Sequence, residues 1–220
     1  MKNTYIIFVV FILLSACNKD NPSSQNDIIA SVKIGSHYWS TKNLDVDHYK
    51  NGDQIPEVKD SATWANLKTG AWCYYNNDPS LGKIYGKLYN WYAVNDPRGL
   101  VPAGWHVPSD AEWNECETVL GGSGVAGGKL KSKGTREGGD GLWMAPNTSA
   151  TNESGFYALP GGYRLFDATF YNLGTNCNFW SSTGVNLNLA VDRVLGYSTS
   201  SIYRYDHNKE NGYSIRCIKD

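Results

Sequence analysis

The chain has 220 residues, room for one domain around a single core, and its formal net charge is -1 with only 19% of residues charged. A near-neutral chain without a basic run excludes an electrostatic basis for nucleic-acid binding. Eight Trp and fifteen Tyr imply broad aromatic packing, an aromatic binding surface, or both, and 23 Gly point to turns and short strands rather than long helices.

The N-terminus reads as an export signal. Lys2 precedes an unbroken apolar run from Ile6 to Leu14, followed by the small residues Ser15 and Ala16 and then Cys17. The run is too short for the ~20 residues that a membrane-spanning helix needs. Leu14-Ser15-Ala16-Cys17 resembles the bacterial lipobox, which implies that residues 1–16 are removed and Cys17 is acylated. The protein is then held to the membrane through a lipid anchor, each buried CH₂ contributing about 0.8 kcal/mol. Loss of Lys2 leaves a net charge of -2. Residues 17–28 form the lipidated Cys and a polar, flexible tether. Lys19-Asp20 is similar to the charged tag of some surface-directed Bacteroidetes lipoproteins. The expected location is the cell envelope, at the outer membrane.

Residues 29–220 read as one domain without an internal repeat. Ala30–Ile34 and Tyr38–Lys42 flank Gly35-Ser36 as a hairpin. Short helices are predicted over Ser61–Leu67 and Tyr85–Val94, the second stopped before Pro97. The clearest helix begins at Ser109: Ser109 and Glu112 make a capping box, and Trp113, Cys116 and Leu120 share one face. Gly121-Gly122 ends it, and Gly121–Ser132 reads as a loop, since the phosphate-loop pattern fails at Ser123 and Leu130. Strands are predicted over Gly155–Leu159, Gly162–Phe166, Phe179–Thr183, Leu189–Val194, Ser201–Tyr205 and Tyr213–Ile218. In the last, Tyr213, Ile215 and Cys217 alternate with Ser214 and Arg216. Helices early and strands late make the expected class α+β.

Little in the sequence points to catalysis. His37, His48, His106 and His207 are scattered and form no HxH or HExxH; they read as surface or packing residues. No cysteine spacing suits zinc, no calcium loop occurs, and no cofactor fingerprint is present, so neither metal nor cofactor is expected. Cys73, Cys116, Cys177 and Cys217 are left open as free thiols or as any of three disulfide connectivities. Asn147, Asn152, Asn172, Asn176 and Asn178 cluster near Trp143, Tyr171 and Trp180. Amides beside flat rings suit a polysaccharide; the alternative is that the amides fill turns and the rings fill the core. We expect Trp180 in the core and Trp143 and Tyr171 exposed, with Trp143, Asn147, Asn152, Tyr171, Asn172 and Asn176 as the candidate ligand-binding set.

A resemblance covers most of the domain. Val32-Lys33-Ile34-Gly35, Tyr85-Gly86-Lys87-Leu88-Tyr89-Asn90-Trp91, Gly104-Trp105-His106-Val107-Pro108-Ser109, Leu130-Lys131, Ala158-Leu159-Pro160-Gly161-Gly162-Tyr163-Arg164, Phe179-Trp180-Ser181-Ser182-Thr183 and Gly212-Tyr213-Ser214-Ile215-Arg216-Cys217 resemble, in order, the Fibrobacter succinogenes major paralogous domain. That family is similar to the C-type-lectin-like and formylglycine-generating-enzyme folds. The resemblance implies a compact α+β domain whose terminal strands pair, with a long loop region on one side. Carried over from lectin-like folds, it also implies that Cys116 of the helix is tied to Cys217 of the last strand, although Val101 stands where many members have Cys.

The sequence therefore favours an exported lipoprotein with a non-catalytic module for glycan or protein. The alternative is an oxidase or hydrolase related to formylglycine-generating enzymes, with Cys177 in the late loop region. Mass spectrometry of membrane-extracted protein is expected to find an acylated Cys17 as the first residue; an unacylated mature N-terminus elsewhere contradicts it.

Overall fold

A computed structural model describes residues 29–220; the expected signal peptide, lipidated Cys17 and tether lie outside the described residues. Strands β1 (Ser31–Ile34) and β2 (His37–Ser40) form the expected hairpin, pairing Ile34 with His37 and Ser31 with Ser40. Helix α1 (Ser61–Ala65) is capped by the Asp60 carboxylate, which accepts from the Thr63 amide. Strand β3 (Trp72–Cys73), helix α2 (Pro79–Tyr85), strand β4 (Leu88–Tyr89), helix α3 (Trp91–Val94) and strand β5 (Trp105–His106) follow. The single helix expected over Tyr85–Val94 is thus replaced by a helix end, a strand and a new helix. The reason is local: Gly86 leaves α2 at φ +75°, a conformation L side chains avoid, and the Asn90 side chain caps a fresh helix by accepting from the Ala93 amide.

Helix α4 (Asp110–Val119) carries the expected capping box: the Ser109 amide donates to Glu112 Oε2 at 2.7 Å and Ser109 Oγ accepts from the Glu112 amide at 3.3 Å. Trp113, Cys116 and Leu120 all face the core. Helix α5 (Ser123–Leu130) occupies the segment read as a loop. Its glycines serve close approach: a Cβ on Gly127 would lie 2.2 Å from the Ser201 carbonyl oxygen, and the Gly128 amide donates to the Ser200 carbonyl at 2.9 Å. Packing against that backbone outweighs the low helix propensity of glycine.

The remaining strands are β6 (Gly161–Arg164), β7 (Phe170–Leu173), β8 (Asn176–Gly184), β9 (Leu189–Gly196), β10 (Ile202–Asn208) and β11 (Ile218–Lys219). They complete a four-stranded sheet β1-β2-β11-β5 and a five-stranded sheet β10-β9-β8-β6-β7, beside the pair β3-β4. The class is α+β. Ile218 pairs with Trp39, so the two ends of the domain close on each other.

Two predicted strands are not strands. Gly155–Leu159 makes only an isolated bridge, between Ala158 and Lys131, because its carbonyls turn toward a buried arginine. Residues 213–217 thread between elements: the Tyr213 amide donates to Tyr89, Ser214 to Asn178, and the Ser40 amide to Cys217. Both faces are therefore covered, and all five residues from Tyr213 to Cys217 are buried rather than alternating.

The five-stranded sheet separates two cores. On one face Phe179, Cys177, Leu195 and Ile202 pack with Trp113, Leu130 and Trp143 under α4 and α5; Trp39, Trp113, Phe156 and Phe179 meet here, with Trp39 and Trp113 centroids 4.7 Å apart. On the other, Trp180 and Ala190 pack with Tyr89, Trp91, Tyr213 and Ile215. Cys116 and Cys217 fall in different cores. All four described cysteines are free, so the disulfide implied between them is not formed.

Three buried cations hold the irregular segments. Arg216 donates from Nε to Asn43 Oδ1 (2.7 Å), from Nη1 to the carbonyls of Ser40 (2.8 Å) and Phe156 (2.7 Å), and from Nη2 to that of Tyr157 (2.9 Å). Its guanidinium lies 4.4 Å from the Phe156 ring centroid. No carboxylate among the described residues pairs with it, and burial lowers its pKa to about 9. Arg164 reaches the carbonyls of Val58, Lys59 and Ala168. Lys131 donates to those of Thr148, Gly196 and Thr199, and burial lowers its pKa to about 8.

Truncating Arg216 orphans the buried carbonyls of Ser40 and Phe156, frees the partly buried one of Tyr157 and leaves a void. Arg216→Ala is expected to cost about 3–5 kcal/mol in denaturant unfolding. Arg204→Ala, which breaks only exposed pairs to Asp110 and Asp206, should cost ~1 kcal/mol or less. Equal losses in the two variants contradict the assigned role.

Candidate ligand-binding site

Side chains alternate across the five-stranded sheet, so one register decides what each face offers. Tyr203 pairs with Val194, Tyr205 with Asp192 and His207 with Ala190; across β8–β9, Val194 meets Asn178 and Asp192 meets Trp180. Tyr163 on β6 pairs with Tyr171 on β7. These residues share the face turned away from α4 and α5. Trp91 and Tyr213 cover its far end, while the near end stays open.

A track of aromatic rings runs across this face, exposed at the two ends and buried in the middle at Tyr213. Ring centroids are 6.1 Å apart for Tyr203–Tyr205, 5.5 Å for Tyr205–His207, 5.9 Å for His207–Tyr213 and for Tyr213–Tyr163, and 6.1 Å for Tyr163–Tyr171. Tyr171, Tyr203 and Tyr205 are each more than 40% exposed. Between the two ends lies a cleft of about 170 Å³, walled by Tyr163, Asn176, Asn178, Tyr205, His207 and Tyr213.

Beneath the cleft sits a buried carboxylate. Asp192 accepts from Asn178 Nδ2 at 3.1 Å and lies 2.8 Å from His207 Nδ1. Burial pushes the Asp192 pKa up, against the opposing pull of His207 and Asn178. The hydrogen bond to Asp192 raises the His207 pKa, outweighing partial burial. The pairing directs Nδ1–H at Asp192, and Nε2 makes no hydrogen bond among the described residues.

The expected ligand set divides. Trp143 is fully buried, its indole N–H donating to the Ala158 carbonyl at 3.1 Å beneath Lys131, which corrects its expected exposure. Asn147 is also buried, its amide spanning the carbonyls of Ser132 and Gly134, so it ties a loop and meets no solvent. Asn152 accepts from the Tyr157 amide in a turn away from the cleft. Tyr171 lies on the track, Asn172 donates to Tyr163 Oη at 3.2 Å, and Asn176 lines the cleft. Trp180 is in the core, 4.3 Å from Tyr213 between centroids.

The sequence reading missed Tyr203, Tyr205 and His207. The signal was present, since Tyr203, Tyr205 and His207 stand at i, i+2 and i+4 of a strand and so project to one side. What the sequence hides is that helices cover the opposite face. Cys177, the residue on which the oxidase alternative depends, is fully buried and its thiol is pushed up to about 12. His106 bridges Asp220 (2.6 Å) and Glu112 (2.8 Å), tying the last residue to the start of α4.

The family model described as Fibrobacter succinogenes major domain matches residues 32–219 of the chain. No curated protein and no solved structure matches it.

The Asp192–His207 pair has a testable pH signature. Because the folded-state pKa of His207 is raised, its contribution to stability is full below about pH 6.5 and is lost as pH rises through the folded value. An NMR titration should place the His207 midpoint above about 6.5, and Asp192→Asn should lower it. A midpoint indifferent to Asp192→Asn contradicts the pairing.

Proposed function

The chain belongs to the Fibrobacter succinogenes major domain family, and from that premise we propose that it is a lipid-anchored envelope protein whose domain binds a glycan without turning it over. The lipobox at Leu14–Cys17 supports the anchor. No helix among the described residues is long and apolar enough to cross a membrane, and an acylated Cys17 needs none. A polar tether behind the acylated Cys17 supports a location in the cell envelope, where the domain would meet polysaccharide.

The single observation that carries the glycan reading is the pair of exposed tyrosine patches, Tyr203–Tyr205 and Tyr171 beside Tyr163, on one sheet face, with amides of Asn172 and Asn176 beside them. Sugar rings present apolar C–H faces that stack on aromatic side chains, and amides reach their hydroxyls. A flat, rigid, aromatic surface also loses little side-chain entropy on binding. An oxidase needs a reactive thiolate, and the buried, protonated Cys177 does not favour one.

Binding of residues 18–220 to an array of bacterial and plant polysaccharides tests the proposal. Tyr205→Ala and Tyr171→Ala should each lower affinity about three- to tenfold with an unchanged melting temperature, because both rings are exposed. Trp180→Ala should instead unfold the domain, costing about 3–5 kcal/mol. Absence of binding to every polysaccharide, or full affinity in the Tyr205→Ala/Tyr171→Ala double variant, overturns the reading.

A further inference from the structure

The cleft in the middle of the track differs from its flanks. The flanks offer only rings, whereas the cleft offers oriented polar atoms. His207 is held by Asp192 on one side, and its Nε2 makes no hydrogen bond within the described residues. Asn178 Nδ2 is engaged by Asp192, while Asn178 Oδ1 is sealed from solvent and has no partner among the described residues. Tyr163 Oη accepts from Asn172, which leaves its own O–H free to donate. A fixed imidazole nitrogen and a phenolic O–H at the surface of a cleft are groups that a ligand hydroxyl satisfies in place of water.

Charge narrows the ligand. Among the described residues, no Lys, Arg, Asp or Glu lines the cleft. The one cation that can form there, His207, has its charge cancelled by Asp192 directly beneath. A carboxylate or sulfate entering the cleft would meet no net positive charge and would lose its hydration. The geometry is equally restrictive: a cleft of about 170 Å³ is of the order of one six-membered sugar ring. It is bordered by Tyr203–Tyr205 on one side and Tyr163–Tyr171 on the other. A chain longer than one ring, seated in the cleft between Tyr163 and Tyr205, extends towards their exposed partners Tyr171 and Tyr203.

We propose that this cleft is the specificity subsite for an uncharged, extended chain of flat pyranose rings, one ring seated in the cleft against His207 Nε2 and its neighbours stacked on the two tyrosine pairs. The proposal rests on the glycan reading above and adds the subsite, the chain shape and the absence of charge. The Asp192–His207–Asn178 group acts here as a positioning device: the carboxylate fixes the ring so that one nitrogen faces the sugar.

The test uses residues 18–220 with defined probes: the β-1,4-linked tetrasaccharides xylotetraose and mannotetraose, their monosaccharides, and the acidic tetragalacturonate. Calorimetry should find a neutral tetrasaccharide bound at least about tenfold more tightly than its monosaccharide, and tetragalacturonate bound no more tightly than the neutral chain. The His207 imidazole ¹⁵N resonance should shift on addition of the bound tetrasaccharide. His207→Gln keeps an N–H for Asp192 and should lower affinity about tenfold. Since that variant also disturbs a buried pair, the wild-type resonance is the decisive readout. Neutral binding with a stationary His207 resonance, equal affinity for the monosaccharide, or preference for tetragalacturonate overturns the subsite while leaving the glycan reading intact. Failure of every probe and every arrayed polysaccharide to bind overturns both.

Discussion

Burying a cation without a carboxylate is the constraint on which this fold depends. Arg216, Arg164 and Lys131 are all out of solvent, and each is satisfied mainly by backbone oxygens of loops and strand ends. Desolvating a charge costs several kcal/mol, so it persists inside only where its donors are used. Here the cost organises the chain: five donors in a fixed fork gather carbonyls from segments far apart in sequence. Arg216 alone joins the end of β2, the turn at Phe156 and Tyr157, and Asn43. Long loops that would otherwise fluctuate become fixed walls.

Those cations also explain what the family's recurring segments are for. Lys131, Arg164 and Arg216 each stand within a segment that carries the resemblance. A motif ending Gly-Tyr-Arg or Ile-Arg-Cys suggests a functional charge when read alone. In the structure both arginines face inward and neither touches a cleft of the aromatic track. The segments that identify the family therefore build the scaffold. The exposed rings Tyr171, Tyr203 and Tyr205 lie outside those segments, whereas the less accessible Tyr163 and Tyr213 lie within them.

The aromatic residues divide in the same way. All eight Trp are buried, and most of the strongly exposed rings are Tyr. Trp39, Trp113 and Trp180 fill space between sheet and helices, where a large apolar ring contributes most. A tyrosine on an open sheet face keeps its hydroxyl in water and its ring available. The five-stranded sheet provides both settings at once, with one face under α4 and α5 and the other only half covered by Trp91 and Tyr213.

The sequence by itself determined the α+β class, the β1–β2 hairpin, the capped α4 with its buried face, and most of the strands after β6. Each rests on interactions within a few residues: a two-residue turn, a Ser–Glu box, an apolar repeat. It also placed Trp180 in the core and Tyr171 at the surface. Tertiary structure alone decided that Trp143 and Asn147 are internal, that residues 213–217 thread between elements instead of alternating, and that Gly127 and Gly128 sit inside a helix. The Asp192–His207 pair likewise exists only because β9 and β10 align in one register. The physical reason is common to all of these. Burial and charge pairing are set by what arrives from distant parts of the chain, and no local pattern of residues records which face of a strand another element will cover.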